Sequence, residues 1–501
     1  MMIITNALLR RTSTLQRWIT STPVSSSNVP SIQIRINHGD QDNVQEQASS
    51  NNTATIHFQI EPRWSEEYEL VKCEGGATTE LSGDVNKDSR KLRVNVHVPS
   101  DTTTASVVLA VPQRCHVTMM GSKTTNLRHE INVGGGSGRL EGDLRVYVPQ
   151  GNILVHKSRG ENVELRTANG GVHIKSVLEG LNADISSTSG FSAKRVMGEN
   201  VTVRVSGAGG TGDDNIKGTA KHRDTDHNNS IDVAALYGGQ FYLQCPNGHV
   251  NIDTAQVKCL DIRSGGGVKG NNSGSGDSGD NGDNSGSGDN GDNGASSNGI
   301  RVGGMSGTIM ATAVAANSGG DSADVHVNFD QMFPVITGGG KRDNNEGREK
   351  HEEEDEQERS MLKADGSVHV SLSDATPFAV HVDMKSHDGL VTLPLDYSNS
   401  AIELGRQASA SEIKTALFEK DEDQEEETNR VRGILRSAPK KKSRASNSGG
   451  SGKISMDAGN DLLDMKKDKK SFQGSLIVMA EKDVSVSIHG WMDRIRSKYL
   501  V

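Results

Sequence analysis

The stretch DTDHNNSIDVAA sets Asp224, Asp226, Asn228 and Ser230 at positions 1, 3, 5 and 7 of a loop of the EF-hand kind, with Ile231 at position 8. Oxygen donors at alternate residues can converge on a hard cation such as calcium. Two substitutions weaken that chemistry. Asn229 stands where the tight turn wants glycine, and Ala235 where a bidentate glutamate closes the oxygen shell. The flanks read as strand rather than helix. These four residues are therefore the only metal candidates, and the expectation is a chain without bound metal or cofactor. His222 and His227 lie beside them, but a zinc site needs three or four ligands in fixed geometry. The Gly/Asp/Asn tract over 271–299 holds a single apolar residue, Ala295. A calcium-binding β-roll needs a large apolar residue in each repeat, so this tract reads as linker.

Catalytic patterns are equally thin. Asp184, Asp232, Asp253 and Asp261 fall in alternating segments, and acids on successive turns of a β-helix can act on polysaccharide. Spacing alone does not set their register, and 3 Trp with 6 Tyr leave few stacking platforms for sugar rings. The glycine-rich GGGSGRLEG over 134–142 lacks the Lys-Ser/Thr of a phosphate-binding loop. No catalytic residue is assigned, and the expectation is a protein that is not an enzyme. Cys73, Cys115, Cys245 and Cys259 are far apart and form no CxxC pair, which argues for buried free thiols.

The elements that carry these residues are strand-like. KLRVNVHVP alternates Leu92, Val94, Val96 and Val98, and period-two runs ended by Pro or Gly mark half-buried strands. Six units of about 18–21 residues follow one another between 152 and 320. Each holds two short alternating runs and ends at a glycine turn. A unit this small cannot bury its own apolar side, so stacking on its neighbours is the expected solution. The predicted fold class is all-β: a β-solenoid, or β-helix-like stack, of about 20-residue two-strand rungs, preceded by a strand-rich N-terminal part and interrupted by disordered insertions.

Composition agrees with a folded core carrying long polar tracts. Hydrophobic residues make up 33% of the 501-residue chain and 57 residues are glycine, below the apolar content of ordinary domains. The net charge of −10 and 3% aromatics argue against nucleic-acid binding. No apolar run is long enough to span a membrane as a helix. Residues 1–30 lack acids and carry Arg10, Arg11 and Arg17. Ile4, Leu8, Leu15, Trp18 and Ile19 fall on one side of a helix, the profile of a mitochondrial transit peptide. The expected organisation is then 31–54 disordered; 55–150 an N-terminal β region; 151–337 the solenoid, with insertions at 211–230 and 271–299; 338–362 an acidic insertion; 363–404 a β continuation; 405–470 a mostly disordered charged linker; and 471–501 a strand pair with a short helix.

The segments VELRTANGGVHIKSVLEG, AKRVMGENVTVRV and GHVNIDTAQVKCLDIRSGGG resemble the adhesin family known as domain of unknown function 4097, in its eukaryotic branch called "family with sequence similarity 185, member A". The resemblance covers about residues 90–340, and more loosely 365–400 and 470–495. The large acidic and Gly/Ser/Asp insertions depart from it. It implies a non-enzymatic adhesin-like scaffold with no catalytic residues to carry over. The expected function is a binding or scaffolding protein in mitochondria with a protein partner. The alternatives are a surface adhesin that binds glycans and a carbohydrate-active β-helix enzyme.

Overall fold

The computed structural model describes residues 29–39, 53–84 without 66, 91–135 without 124–125, 138–207, 229–265, 299–315, 322–331, 359–373, 379–393, 416–420, 429–437 and 475–489. The N-terminal 28 residues, the Gly/Asp/Asn tract, most of the acidic and charged insertions and the terminal 490–501 lie outside them. The described residues are all-β, with no helix. The chain divides into two compact units, one of residues 1–257 with 263–268, the other of 258–262 with 269–501.

In the first unit the period-two pattern does what it predicts. Ile32, Ile34 and Ile36 of the strand Ser31–His38 are buried, and Gln33 and Arg35 between them are not. Alternation turns one side of each strand into the core, and Ile, Val and Phe residues fill it from Ile56 and Phe58 to Phe191 and Phe241. Most pairing is parallel. Leu144–Asn169 lies on Gly171–Ser187, which lies on Val196–Val205, which lies on Leu236–Cys245. One line of this register runs Asn162, Asn182, Asn200, Gln240. Asn162 Nδ2 donates to Asp143 Oδ2 at 3.3 Å, Asn182 Nδ2 to Asn162 Oδ1 at 3.3 Å, and Asn200 Nδ2 to Asn182 Oδ1 at 3.1 Å. The parallel glycine line Gly160, Gly180, Gly198, Gly238 sits where neighbouring backbones nearly touch. A Cβ at Gly238, whose φ is +134°, would lie 1.9 Å from the Gly198 carbonyl oxygen, so only glycine fits.

The expected solenoid stack is not the architecture. The parallel ladders close on themselves as an eight-strand barrel with many strands outside it. Long strands are one cause. Leu144–Asn169 and Gly171–Ser187 run 26 and 17 residues without a break. Leu144–Asn169 pairs in turn with His116–Met120, Leu127–Val133 and Leu140–Glu141, and Gly171–Ser187 with both Gly190–Ala193 and Val196–Val205. A strand that continues through the bend joins ladders that separate rungs would keep apart. Chain order also fails to give ladder order. Ser31–His38 lies between Lys91–Val98 and His116–Met120, and Ala54–Arg63 between Thr104–Pro112 and Leu127–Val133. Outside them, Glu69–Glu74 and Thr78–Asp84 add antiparallel to Thr104–Pro112 and Lys91–Val98. The disordered assignment of 31–54 is therefore wrong over Ser31–His38.

In the second unit the last strands again lie between earlier ones. Ser475–Ala480 pairs with Arg359–Ala364 and Ala379–Ser386, and Val484–His489 with Val368–Ser373 and Val391–Thr392. The strand Arg359–Ala364 begins inside the stretch expected to be an acidic insertion. Ala416–Lys420 and Arg430–Ser437, within the expected linker, form an antiparallel pair, and Arg430–Ser437 adds antiparallel to Ala379–Ser386. Each of these short runs places two or three apolar residues at alternate positions, which suffices once a neighbouring strand supplies the rest of the pairing.

Candidate functional site

The strands Thr78–Asp84, Lys91–Val98, Ser31–His38, His116–Met120 and the start of Leu144–Asn169 lie side by side. Their inward residues, among them Val94, Val96, Ile34 and Met119, are buried. The outward residues line up in rows across the strands. One row is Ser82, Arg93, Gln33, Thr118, Arg145; the next is Glu80, Asn95, Arg35, Met120, Tyr147; a third is Thr78, His97, Asn37. Arg35, Asn37, Thr78, Thr79, Glu80, Asn95 and His97 line a groove of about 490 Å³. Gln33, Arg35, Ser82, Arg93 and Asn95 line a smaller hollow of about 140 Å³ beside it.

Charge pairing distinguishes this face. Several other arginines of the unit pair with carboxylates, while Arg195 lies over the Tyr237 ring and forms no ion pair among the described residues. Arg139 lies 2.6 Å from Glu141, Arg159 3.6 Å from Glu179, Arg166 2.7 Å and Arg204 3.2 Å from Asp184, and Arg128 2.8 Å from Glu130. Burial pushes the Glu141 carboxyl up, but the hydrogen bonds and charges of Arg139 and Arg114 outweigh it and hold it below the usual range. By contrast, among the described residues Arg35, Arg93 and Arg145 form no ion pair. All three are exposed. Tyr147 closes the face on the far side. Burial, then the hydrogen bond and charge of Glu164, push its phenol up against the opposing Arg166 and Arg145. The face thus offers three guanidiniums that form no ion pair among the described residues, the Glu80 carboxylate, one imidazole and a set of amides and hydroxyls. It can recognise oxyanions by charge-assisted hydrogen bonds.

Asp224, Asp226 and Asn228 lie outside the described residues, as do Arg10, Arg11 and Arg17. Ser230 is described, and its hydroxyl donates to Asp232 Oδ2 at 2.6 Å. The acids of the alternating segments are not gathered. Asp184 pairs with Arg166 and Arg204, aligned with Glu164 and Thr202. Asp232 belongs to a different ladder, aligned with Ser192 and Asn251 and 3.9 Å from His249. Asp253 is exposed beyond the end of its strand, and Asp261 is half-buried within Ala255–Gly265.

Two features escaped sequence reasoning. His129 is completely buried. The Ser122 N–H donates to its Nε2 at 3.1 Å, so Nδ1 carries the proton and donates to the Gln150 carbonyl at 2.9 Å. Burial holds this imidazole below its ordinary range, against the Gln150 hydrogen bond. In the second unit, His387, Asp388 and Glu481 bring one potential ligand atom each within 4.8 Å of one another. His387 Nδ1 lies 2.7 Å from Asp388 and 3.6 Å from Glu481, and all three side chains are exposed. Exposed acidic groups commonly gather in this way without a bound ion, so the cluster is not assigned as a metal site. Among the described residues no helix is long and apolar enough to cross a membrane. Compared with protein-family models, curated proteins and solved structures, the chain matches none.

Proposed function

We infer that the protein is a non-enzymatic binding or scaffolding protein of mitochondria, which holds a protein partner on an exposed sheet face. The observation that carries this reading is the face of Arg35, Arg93 and Arg145. In this unit Arg139, Arg159, Arg166 and Arg204 pair with carboxylates. Three guanidiniums on one sheet with no ion pair among the described residues suit a ligand from outside. The resemblance to the adhesin family supports a scaffold role, and the basic, acid-free N-terminus with Arg10, Arg11 and Arg17 supports mitochondrial import.

The test has two parts. A fluorescent tag on Val501 should report mitochondria for the full chain and not for a chain lacking residues 1–30. Proximity labelling in that compartment should then compare the full chain with Arg35→Glu/Arg93→Glu. A discrete set of neighbours lost by the variant, at equal abundance and location, is the expected result. An unchanged set would end the assignment of binding to this face.

A further inference from the structure

Building on that reading, we propose that the arginine face takes an extended acidic peptide segment of the partner, laid across the strands. Spacing supports this. Arg93, Gln33, Thr118 and Arg145 occupy one row on four successive strands. Strands stand about 4.8 Å apart, so the two arginines are about 14 Å apart. An extended chain advances about 3.4 Å per residue, so its residues i and i+4 also stand about 14 Å apart and point the same way. Arg35 lies in the next row, on the strand that also carries Gln33, and so reaches the position between. Carboxylates at i, i+2 and i+4 meet three guanidiniums in turn.

The intervening groups suit a peptide backbone. Gln33 and Asn95 each offer an amide donor and acceptor, and Thr118 a hydroxyl. Glu80 lies at one end of the second row, beyond Asn95, and sets a direction: it repels an acidic residue there and leaves the Arg145 end open. A small free anion in the hollow of Gln33, Arg35, Ser82, Arg93 and Asn95 would meet two of the arginines and leave Arg145 unused, whereas an extended segment meets all three. Single-stranded nucleic acid would be held by stacked bases. Tyr147 is the one aromatic residue in these rows apart from the His97 imidazole, and the guanidinium of Arg166 lies 5.7 Å over its ring.

The experiment uses the full chain and fluorescence anisotropy. The probe is a labelled octapeptide of alternating Glu and Ser; the controls are its Gln/Ser counterpart, inorganic phosphate and oligothymidylate. The expected result is salt-sensitive binding of the Glu/Ser peptide alone, weakened at least tenfold by Arg93→Glu/Arg145→Glu. Glu80→Gln should tighten it, and Lys363→Glu, in the other unit, should leave it unchanged. Far-UV circular dichroism establishes that each variant is folded. Equal binding of the Gln/Ser peptide overturns the proposal, as does displacement by phosphate at the peptide's own concentration. Oligothymidylate bound as tightly through the same arginines also overturns it. If the peptide fails while the proximity set still depends on Arg35 and Arg93, the binding role stands and the acidic-peptide assignment falls. If both fail, the face is not a binding site.

Discussion

His129 tests the interior of the first unit. Its ring is sealed from solvent and satisfies two backbone groups at once, the Ser122 N–H and the Gln150 carbonyl. Replacing it by leucine keeps most of the volume and removes the hydrogen bonds that the ring makes with the Ser122 N–H and the Gln150 carbonyl. Each such loss costs about 1–3 kcal/mol, so His129→Leu should destabilise the chain by about 2–6 kcal/mol at pH 7.5. The same geometry predicts a pH dependence. The folded-state pKa lies below the unfolded value of about 6.5, because burial disfavours the imidazolium. The unfolded chain therefore binds a proton first as pH falls. The stabilising contribution is complete above about 6.5 and is lost as pH falls from there towards the folded pKa. Over that interval the slope approaches about 1.4 kcal/mol per pH unit. Burial also lowers His156 and His326, so the quantity of interest is the difference between wild type and variant. Urea unfolding followed by far-UV circular dichroism from about pH 7.5 to 5 measures it. The wild type should lose its advantage over His129→Leu as the pH drops. A variant within about 0.5 kcal/mol of wild type at pH 7.5, or an advantage that does not change with pH, would refute the assignment.

Other expectations follow from the same interior and its surface. Gly238→Ala forces a Cβ to within 1.9 Å of the Gly198 carbonyl at a φ of +134°; it should cost at least about 1–3 kcal/mol, read as a lower melting midpoint. Asp184→Asn removes the pairings to Arg166 and Arg204, but these are exposed, so urea unfolding should shift by no more than about 1 kcal/mol. Burial pushes the Cys115 thiol up to about 11 and the Cys245 thiol up to about 12. Both should resist iodoacetamide at about pH 8 in the folded chain and react once it is unfolded; mass spectrometry showing native labelling at either would contradict the burial.

How much was legible in the residues depends on the kind of information each pattern holds. Alternation names the strands and their inward faces because the side-chain period of a strand is two. KLRVNVHVP marks Val94, Val96 and Val98 as core by its alternation alone, and they are buried. The repeated Gly-x-Asn of Gly160–Asn162, Gly180–Asn182 and Gly198–Asn200 likewise announces ladders that the fold joins in register. Alternation holds no information about which strand lies next to which. Ser31–His38 shows Ile32, Ile34 and Ile36 plainly, yet its neighbours Lys91–Val98 and His116–Met120 begin 60 and 85 residues further on. The same blindness hid the insertion of Ser475–Ala480 between two earlier strands, and it let local repetition stand for an open stack where the ladders close.

The arginine face belongs wholly to that second kind of information. Arg93 and Arg145 each sit in a Leu-Arg-Val-x-Val run and Arg35 in Ile-Arg-Ile, so each is an ordinary polar position in an alternating run, and nothing in those runs says that they share a face. Their departure from the core is written in the residues, because the neighbours on either side of each enter it. Their meeting on one face, with no carboxylate paired to any of them among the described residues, is a property of the folded chain. Hydrogen-bonded pairing between distant strands, and not spacing along the chain, sets which side chains become neighbours.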